Sequence, residues 1–385
     1  MKALVLQAEW EPKSGYVPTE SERQSRRVLR GSQVWKHPRI ELKNVAEPNL
    51  KDDEVMLEVR AVGICGSDMH MYETSDDGYM LYPSLVKTSN ILGHEFSGRV
   101  VELGKEVQNL KVDDFVAVEE LQWCGGCTSC RRGFFNHCEK IEEIGFSIPG
   151  ALATYIAVKA KYCWKLDDLI ARVGEEEAMI LGAMVEPTGV AYQGMFNRLT
   201  TWRPGYHTVI FGAGPIGLAT TALAVAAGAG EVIVFDTSKP RRDFAMAMGA
   251  SHTADPKRLD LDNYILDITS GHGADWIVEC SGAAEQTLQG LNTSLAVNAS
   301  IIDIGMGRQK PTLPTVTYKV KGVQFAGSLG HVGSGTFHNV IRLMAAGRID
   351  MRRMLSDTLP LDDAVAAFKR LESREDAKLI LLPQA

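Results

Sequence analysis

The chain has 385 residues, of which 45% are hydrophobic and 23% charged, with a formal net charge of −7. That is length for two domains with cores of their own, so it needs no disulfide stapling, and a negative balance without any extended basic run weighs against a nucleic-acid partner. The opening MKALVLQAEW has no basic stretch leading into a long apolar one, and the most apolar segment, residues 216–229, is too short to cross a bilayer. A cytoplasmic protein with reduced thiols and no membrane partner is therefore expected.

Along the chain, Glu9 to Pro38 is polar, carries Pro12, Pro18 and Pro38, and follows neither period, which predicts an irregular insertion. From Ile40 to Gly145, short apolar runs (EVMLEVRAVGI, GRVVELG, DDFVAVEEL) punctuated by Gly, Asp and Asn predict β-rich structure with chemistry on its turns. Within it, WCGGCTSCRRGFFNHC sets Cys124, Cys127, Cys130 and Cys138 at a spacing that suits a closed tetrahedral zinc cage better than disulfides in a reducing compartment. Arg131 and Arg132 lend only slight support to the rival reading, a nucleic-acid knuckle. An amphipathic helical stretch is expected around Glu175 to Asn197. Then HTVIFGAGPIGLATTALAVAAGAGEVIVFD reads as an apolar strand, a glycine turn, an alanine-rich helix and a second apolar strand, one βαβ unit. DWIVECSG, SIIDIGMG and QFAGSLG continue a doubly wound parallel sheet to about residue 330, and the tail is helical before the strand-like KLILLP.

Two groups of motifs carry chemistry. Gly212, Gly214, Pro215, Ile216 and Gly217 form G-x-G-x-x-G between a buried strand and a helix, where the pyrophosphate of a dinucleotide meets the helix N-terminus. Asp236, 19 residues after Gly217, suits the adenosine ribose hydroxyls and repels a 2′-phosphate. NAD is thus favoured over NADP, although Lys239, Arg241 and Arg242 soften that repulsion. The turns GICGSDMH and GHEFSG offer Cys65 and His94, a thiolate and an imidazole, the mixed set of a zinc that keeps an open position. Glu95 and Glu186 are the candidate carboxylate ligands.

Together, Gly93-His94-Glu95 with Gly98, Gly104 and Val107, and the four-cysteine lobe, resemble the zinc-dependent medium-chain dehydrogenase/reductase family along nearly the whole chain. Cys65-Gly66-Ser67-Asp68 with His70, and Glu186-Pro187, are similar to its polyol branch. GSQVWKHP, DGYMLYP, FNHCEKIEEIGF and GSLGHVGSGTF resemble members that act on keto-inositols, and the related aminocyclitol dehydrogenases share the Cys65 to Asp68 and EIGF features. The insertion and the DGYMLYP loop occur together in that group, which suggests that they form one structure.

The resemblance implies an α/β fold: a GroES-like β-rich catalytic domain over residues 1–188 and 334–385, with a structural zinc lobe at about 120–140, and a Rossmann domain over 189–333. It implies two zinc ions per chain, NAD, a small-molecule polyol or cyclitol partner, and a homo-oligomer, dimer or tetramer. Cys65, Ser67, His70, His94, Glu95 and Glu186 are the expected catalytic residues, with Ser67 taking the alcohol proton and passing it through the nicotinamide ribose to His70. Asp68 either orients the His94 ring or simply forms the turn. Ile304 and Met306, in the turn through Gly305 to Gly307, and Ser328 and Leu329, in the turn to Gly330, are expected along the nicotinamide. Tyr79, Tyr82, Glu119, Glu120 and His331 are candidates for substrate hydroxyls, each with an ordinary packing role as its alternative. The expected reaction is oxidation of a ring CH–OH on a keto-inositol. An amino-inositol of the 2-deoxy-scyllo-inosamine kind, sorbitol or threonine are the alternatives, and a catalytically silent zinc-stabilised binding protein is the alternative of another class.

Overall fold

A computed structural model of the chain describes residues 1–307 and 311–385. They divide into two compact units, one of residues 1–186, 357–373 and 378–385, the other of residues 187–356 and 374–377.

The first unit is built on a seven-stranded sheet in the order Cys163–Lys165, Phe115–Val118, Glu95–Leu103, Glu54–Gly63, Lys378–Leu382, Leu355–Pro360, with Tyr155–Lys159 also paired to Glu54–Gly63. The strand Glu54–Gly63 is buried over most of its length because it is covered on both faces, and Leu57, Val59, Val62, Phe96, Val100, Val116, Ile156, Leu379 and Leu381 share one core. A smaller sheet runs Trp35–Asn44, Lys2–Trp10, Asn90–Ile91.

The insertion is more ordered than its composition predicts. Strand Trp35–Asn44 takes in WKHP, because the two proline-disrupted residues are absorbed by a bulge: the register slips between Gln7 and Glu9, and His37 has φ +50°. Thr19 caps a short helix, Glu20–Ser25, in a capping box with Glu22. Arg27–Val28 pairs with Val86–Lys87, Met80 N donates to Trp35 O and His37 N to Gly78 O. The insertion and the DGYMLYP loop are thus bonded together.

The second unit holds a six-stranded parallel sheet in the order His252–Ala254, Val232–Phe235, Thr208–Phe211, Ala274–Glu279, Leu295–Asp303, Gln324–Gly327. In the unit's own numbering that is 3-2-1-4-5-6, which places the switch point at the end of Thr208–Phe211, where the glycine turn begins. Val209, Phe211, Ile233, Phe235, Ile277 and Ile301 form its core.

Two expectations are corrected here. Residues 187–188, 334–356 and 374–377 fall in the second unit rather than with the catalytic domain. Helix Thr336–Ala345 buries Phe337, Val340, Ile341 and Met344, while its Asn339 and Thr336 side chains bond to Tyr192 and Asn197. The 175–197 stretch is helical as expected, with helices Glu175–Gly182 and Val185–Tyr192 and a π-turn segment, Gln193–Arg198, but it is not amphipathic. Residues 181–189 are buried throughout, so no polar face survives to give a period.

Candidate active site and metal centres

Cys65 caps the helix Gly66–Tyr72, and His94 and Glu95 open the strand Glu95–Leu103, so two strand-end turns bring a thiol, an imidazole and a carboxylate together. One ligand atom from each of Cys65, His94 and Glu95 lies within 4.8 Å of the others. Asp68 Oδ2 accepts from the Cys65 amide at 3.0 Å, while Oδ1 lies 3.5 Å from His94 Nδ1. His94 Nε2 therefore faces the cluster, 3.4 Å from Ser67 Oγ. Burial lowers the His94 pKa, but Asp68 and Cys65 outweigh it and hold the imidazole well above its ordinary value; burial and then Glu95 push the Cys65 thiol up.

Glu95 is wholly buried, and Gly63 opposite makes the room: a Cβ there would lie 2.2 Å from Glu95 Oε2. That oxygen is 2.5 Å from Lys378 Nζ, also fully buried, which donates to Ile64 O as well. Glu95 Oε1 is buried without a hydrogen-bond partner, the condition of an atom suited to a cation. Glu186, 5% exposed on helix Val185–Tyr192, acts on Lys378 electrostatically alongside Glu95 and Cys65. His70 is half-buried, its Nδ1 3.4 Å from Glu73 Oε2. The donor set and the orphaned oxygen fit a zinc ion.

The four lobe sulfurs also lie within 4.8 Å of one another, but the surroundings differ. Cys124 Sγ accepts from the amides of Gly126 and Cys127, Cys127 Sγ from Cys130, and Cys138 Sγ from Cys124 and Lys140, at 3.3 to 3.5 Å. Those amides favour thiolates, and the Cys130 amide and then that of Glu139 bring the Cys127 pKa down to about 6. Four zinc–sulfur bonds of about 2.3 Å in a tetrahedron set sulfurs about 3.8 Å apart. Cys127 Sγ and Cys138 Sγ are 3.9 Å apart.

In the second unit Gly212 has φ +92°, and a Cβ on Gly217 would lie 1.8 Å from Gly212 O, so both glycines are required by the turn. At Gly214 a Cβ would meet nothing nearer than Arg241 Nη1 at 3.9 Å, an open cradle at the N-terminus of helix Pro215–Ala226. Asp236 accepts from the amides of Ala213 at 2.7 Å and Ser238 at 2.8 Å, which fixes its carboxylate at the end of the second strand. The Arg241 guanidinium is influenced by Asp236, Arg374 and Asp376, and Arg242 caps the carbonyls of Asp236 and Thr237. Ile304 N donates to Glu279 O, Ser328 N to Asp303 O, and Met306 and Leu329 are exposed apolar side chains on those turns.

Family models for an alcohol dehydrogenase GroES-like domain and a zinc-binding dehydrogenase match residues 51–168 and 215–346. A scyllo-inosose 3-dehydrogenase of Thermotoga maritima is 38% identical over 384 residues, 97% of this chain and 97% of its own. The chain belongs to the zinc-binding medium-chain dehydrogenases. A solved chain from Thermotoga maritima described as an alcohol dehydrogenase superposes with a TM-score of 0.94 at 37% identity, covering 99% of both chains. A relative described as D-xylulose reductase A of Neosartorya fischeri is 33% identical over 87% of this chain and 91% of its own. The dehydrogenase is thus an oxidoreductase of CH–OH donors that uses zinc and a nicotinamide dinucleotide, with a GroES-like unit and a Rossmann unit.

Among the expected substrate contacts, the dehydrogenase places Tyr82 beside the cluster: its ring stacks on Phe146 at 5.1 Å, and Phe146 lies 4.7 Å from the His94 ring. Glu120 is buried near Glu143, whose pKa burial and then Glu120 raise to about 7. Tyr79 lies instead under the Lys13 and Lys36 ammonium groups, 4.4 and 5.4 Å from its centroid, and Glu119 accepts from Trp164 Nε1 at 3.1 Å. His331 is fully buried in the second unit, 4.8 Å from Phe337. Sequence reasoning missed Lys378, Phe146 and Glu143. A lysine opening the apolar strand KLILL was the available signal, since a lysine is buried only with a partner.

No helix among the described residues is long and apolar enough to cross a membrane.

Proposed function

We propose that this dehydrogenase oxidises a ring CH–OH of a cyclitol of the scyllo-inosose kind with NAD. The observation that carries the reading is the 38% identity to a scyllo-inosose 3-dehydrogenase, which extends over 97% of both chains and so takes in the insertion as well as the motifs. In this reading Cys65, His94 and the carboxylates of Glu95 and Glu186 hold one zinc, and Cys124, Cys127, Cys130 and Cys138 a second. When bound, the first zinc acidifies the substrate hydroxyl and NAD accepts the hydride.

The chain's own groups do the rest. Ser67 Oγ, 3.4 Å from His94 Nε2, takes the alcohol proton, and half-buried His70 delivers it outward. Asp68 holds the His94 ring in one orientation. Asp236 binds the adenosine ribose and disfavours a 2′-phosphate, and the turns at Ile304, Met306, Ser328 and Leu329 line the nicotinamide. Tyr82 and Glu120, with Glu143, offer the hydrogen bonds that a polyhydroxylated ring demands. The exposed Val297, Val316, Val320 and Phe325 near the edge strand Gln324–Gly327 favour assembly with a second copy, in a dimer or tetramer.

A second reading, an open-chain polyol, is favoured by the relative described as a D-xylulose reductase. Following NAD reduction over inositols, keto-inositols, aminocyclitols, sorbitol, xylitol and threonine tests both. The highest kcat/KM is expected for a keto-inositol or inositol; a higher value for xylitol or sorbitol overturns the cyclitol reading.

A further inference from the structure

Residues 11–34 add no strand to the seven-stranded sheet, yet they are anchored by a buried carboxylate and bonded along the 73–87 loop. Glu22, 5% exposed, accepts from the Thr19 amide at 2.8 Å, the Tyr16 hydroxyl at 2.8 Å and the Leu29 amide at 3.1 Å. Beyond that anchor Arg27–Val28 pairs with Val86–Lys87, Gly31 N donates to Ser84 O at 3.0 Å, and Ser32 N donates to Tyr82 O at 2.8 Å. Packing at Gly31 is tight: a Cβ would lie 2.4 Å from Val86 Cγ1, 2.8 Å from Met80 Sδ and 3.0 Å from Tyr82 O.

The loop gripped in this way delivers Tyr82, 3% exposed, onto Phe146 and so to His94. Burial, then Glu143, Cys65, Glu120 and Asp68, push its phenol well above the ordinary value. The Tyr82 amide also donates to His70 O at 2.8 Å, which ties this loop to the helix that Cys65 caps. Arg27 also bonds to Glu142, at 3.0 Å, and to Ile141 O, which ties the insertion to the segment that carries Glu143 and Phe146. One insertion thus holds both walls around Tyr82.

We infer that the insertion is a specificity device, which fixes the Tyr82 phenol through the Gly31 and Ser32 amides as a rigid partner for a ring hydroxyl and so favours cyclic polyols over open-chain ones. A fixed partner rewards a ligand whose hydroxyls are already fixed; an open-chain polyol must first freeze its own torsions. Tyr82 touches the substrate, while Gly31, Ser32 and Glu22 act through it as positioning residues. The inference rests on the cyclitol reading and names the residues that would create that preference.

The test uses the zinc-loaded full chain as wild type, Gly31→Ala, Glu22→Gln and Tyr82→Phe. For each, kcat/KM is measured with scyllo-inosose and with sorbitol, and myo-inositol binding is followed by calorimetry without nucleotide, where no turnover occurs. Gly31→Ala and Tyr82→Phe are each expected to lower the ring-to-open-chain ratio about tenfold, mostly through KM, and to weaken myo-inositol binding similarly. Glu22→Gln should act in the same direction, and together with Tyr82→Phe it decides the matter if Gly31→Ala does not fold. Zinc content should be unchanged, and sorbitol turnover should fall less than scyllo-inosose turnover in every variant. If wild type prefers the ring substrate but folded variants keep that preference and lose only thermal stability, the insertion is a brace alone and the inference is overturned while the cyclitol reading stands. If wild type turns over no ring substrate, the cyclitol reading falls and the inference with it.

Discussion

The first unit contains two clusters of metal-ligating side chains, built in opposite ways. The lobe draws four like ligands from 15 consecutive positions, and its sulfurs are solvated by the backbone amides of the same short segment. The Cys65 cluster draws unlike ligands from residues 65, 94 and 95, with Glu186 and Lys378 supplying further charge from distant elements. A cage made by a local segment can close around a metal completely, whereas one assembled by the fold can leave a position open and surround it with chosen charges. The lobe is therefore expected to be structural and the assembled cluster reactive.

Selective metal removal breaks or confirms that contrast with the largest effect. Two zinc ions per chain are expected by metal analysis, and mild chelation should strip one of them with loss of more than about a thousandfold in turnover. Far-ultraviolet dichroism should stay unchanged. Cys65→Ser should reproduce this with one zinc retained. A chelator that removes both ions at one rate, or protein purified without chelator carrying fewer than two, would show the clusters to be equivalent.

The next prediction concerns the charge that only the assembled site possesses. In protein stripped of zinc, Lys378→Met leaves the fully buried Glu95 carboxylate without a cation, and breaking such a pair costs about 3–5 kcal/mol. Unfolding in urea measures this. Lys378→Met combined with Glu95→Gln should recover much of the loss, since no unpaired charge then remains; equal instability of the single and double variants would refute the pairing.

The same contrast explains what could be read from the sequence. The four-cysteine lobe, the glycine turn and Asp236 are encoded over short spans, where the ligand spacing or the strand-turn-helix order already specifies the geometry. Lys378 could not be paired with Glu95 in this way, because 283 positions separate them and only the register of the final strand, with Ile380 opposite Gly63, brings them together. Tyr79 and Tyr82 sit three residues apart in one loop, yet one faces lysines of the insertion and the other faces Phe146. Composition cannot separate them. The insertion was legible as a feature but not as structure, because its order comes from a capping box, a buried Glu22 and pairing to a remote loop rather than from any hydrophobic period.

The nucleotide turn is a locally encoded site, so a single local change should retune it without disturbing the assembled one. Asp236→Ser removes the anion and leaves the Arg241 guanidinium nearby to pair with a 2′-phosphate. The ratio of kcat/KM for NADP to that for NAD should rise about 10- to 100-fold, with zinc content and stability within error of wild type. A wild type that already uses both nucleotides equally would show that Asp236 does not discriminate.

The smallest effect is a pH dependence within the lobe. Local amides hold Cys127 at about 6, chiefly the Cys130 amide and then that of Glu139, while burial drives Cys130 up to about 12. The sign follows from the thiolate being the nucleophile. In protein stripped by strong chelator and kept folded, Cys127 is mostly thiol at pH 5 and mostly thiolate at pH 7, so its alkylation by iodoacetamide should quicken about tenfold across that interval. Cys130 should stay protonated and unmodified throughout. Because the lowered pKa means that the folded lobe favours the Cys127 thiolate, that contribution to stability is present above the ordinary thiol range and fades as pH falls through about 6. Zinc retention should weaken over the same interval, as protons compete for a ligand that the backbone has already prepared. Peptide mapping by mass spectrometry after timed alkylation reads out both cysteines. Equal modification of Cys127 and Cys130 at pH 7 would mean that the amides do not shape the sulfurs before the metal arrives, and the lobe would then owe its geometry to zinc rather than to its own backbone.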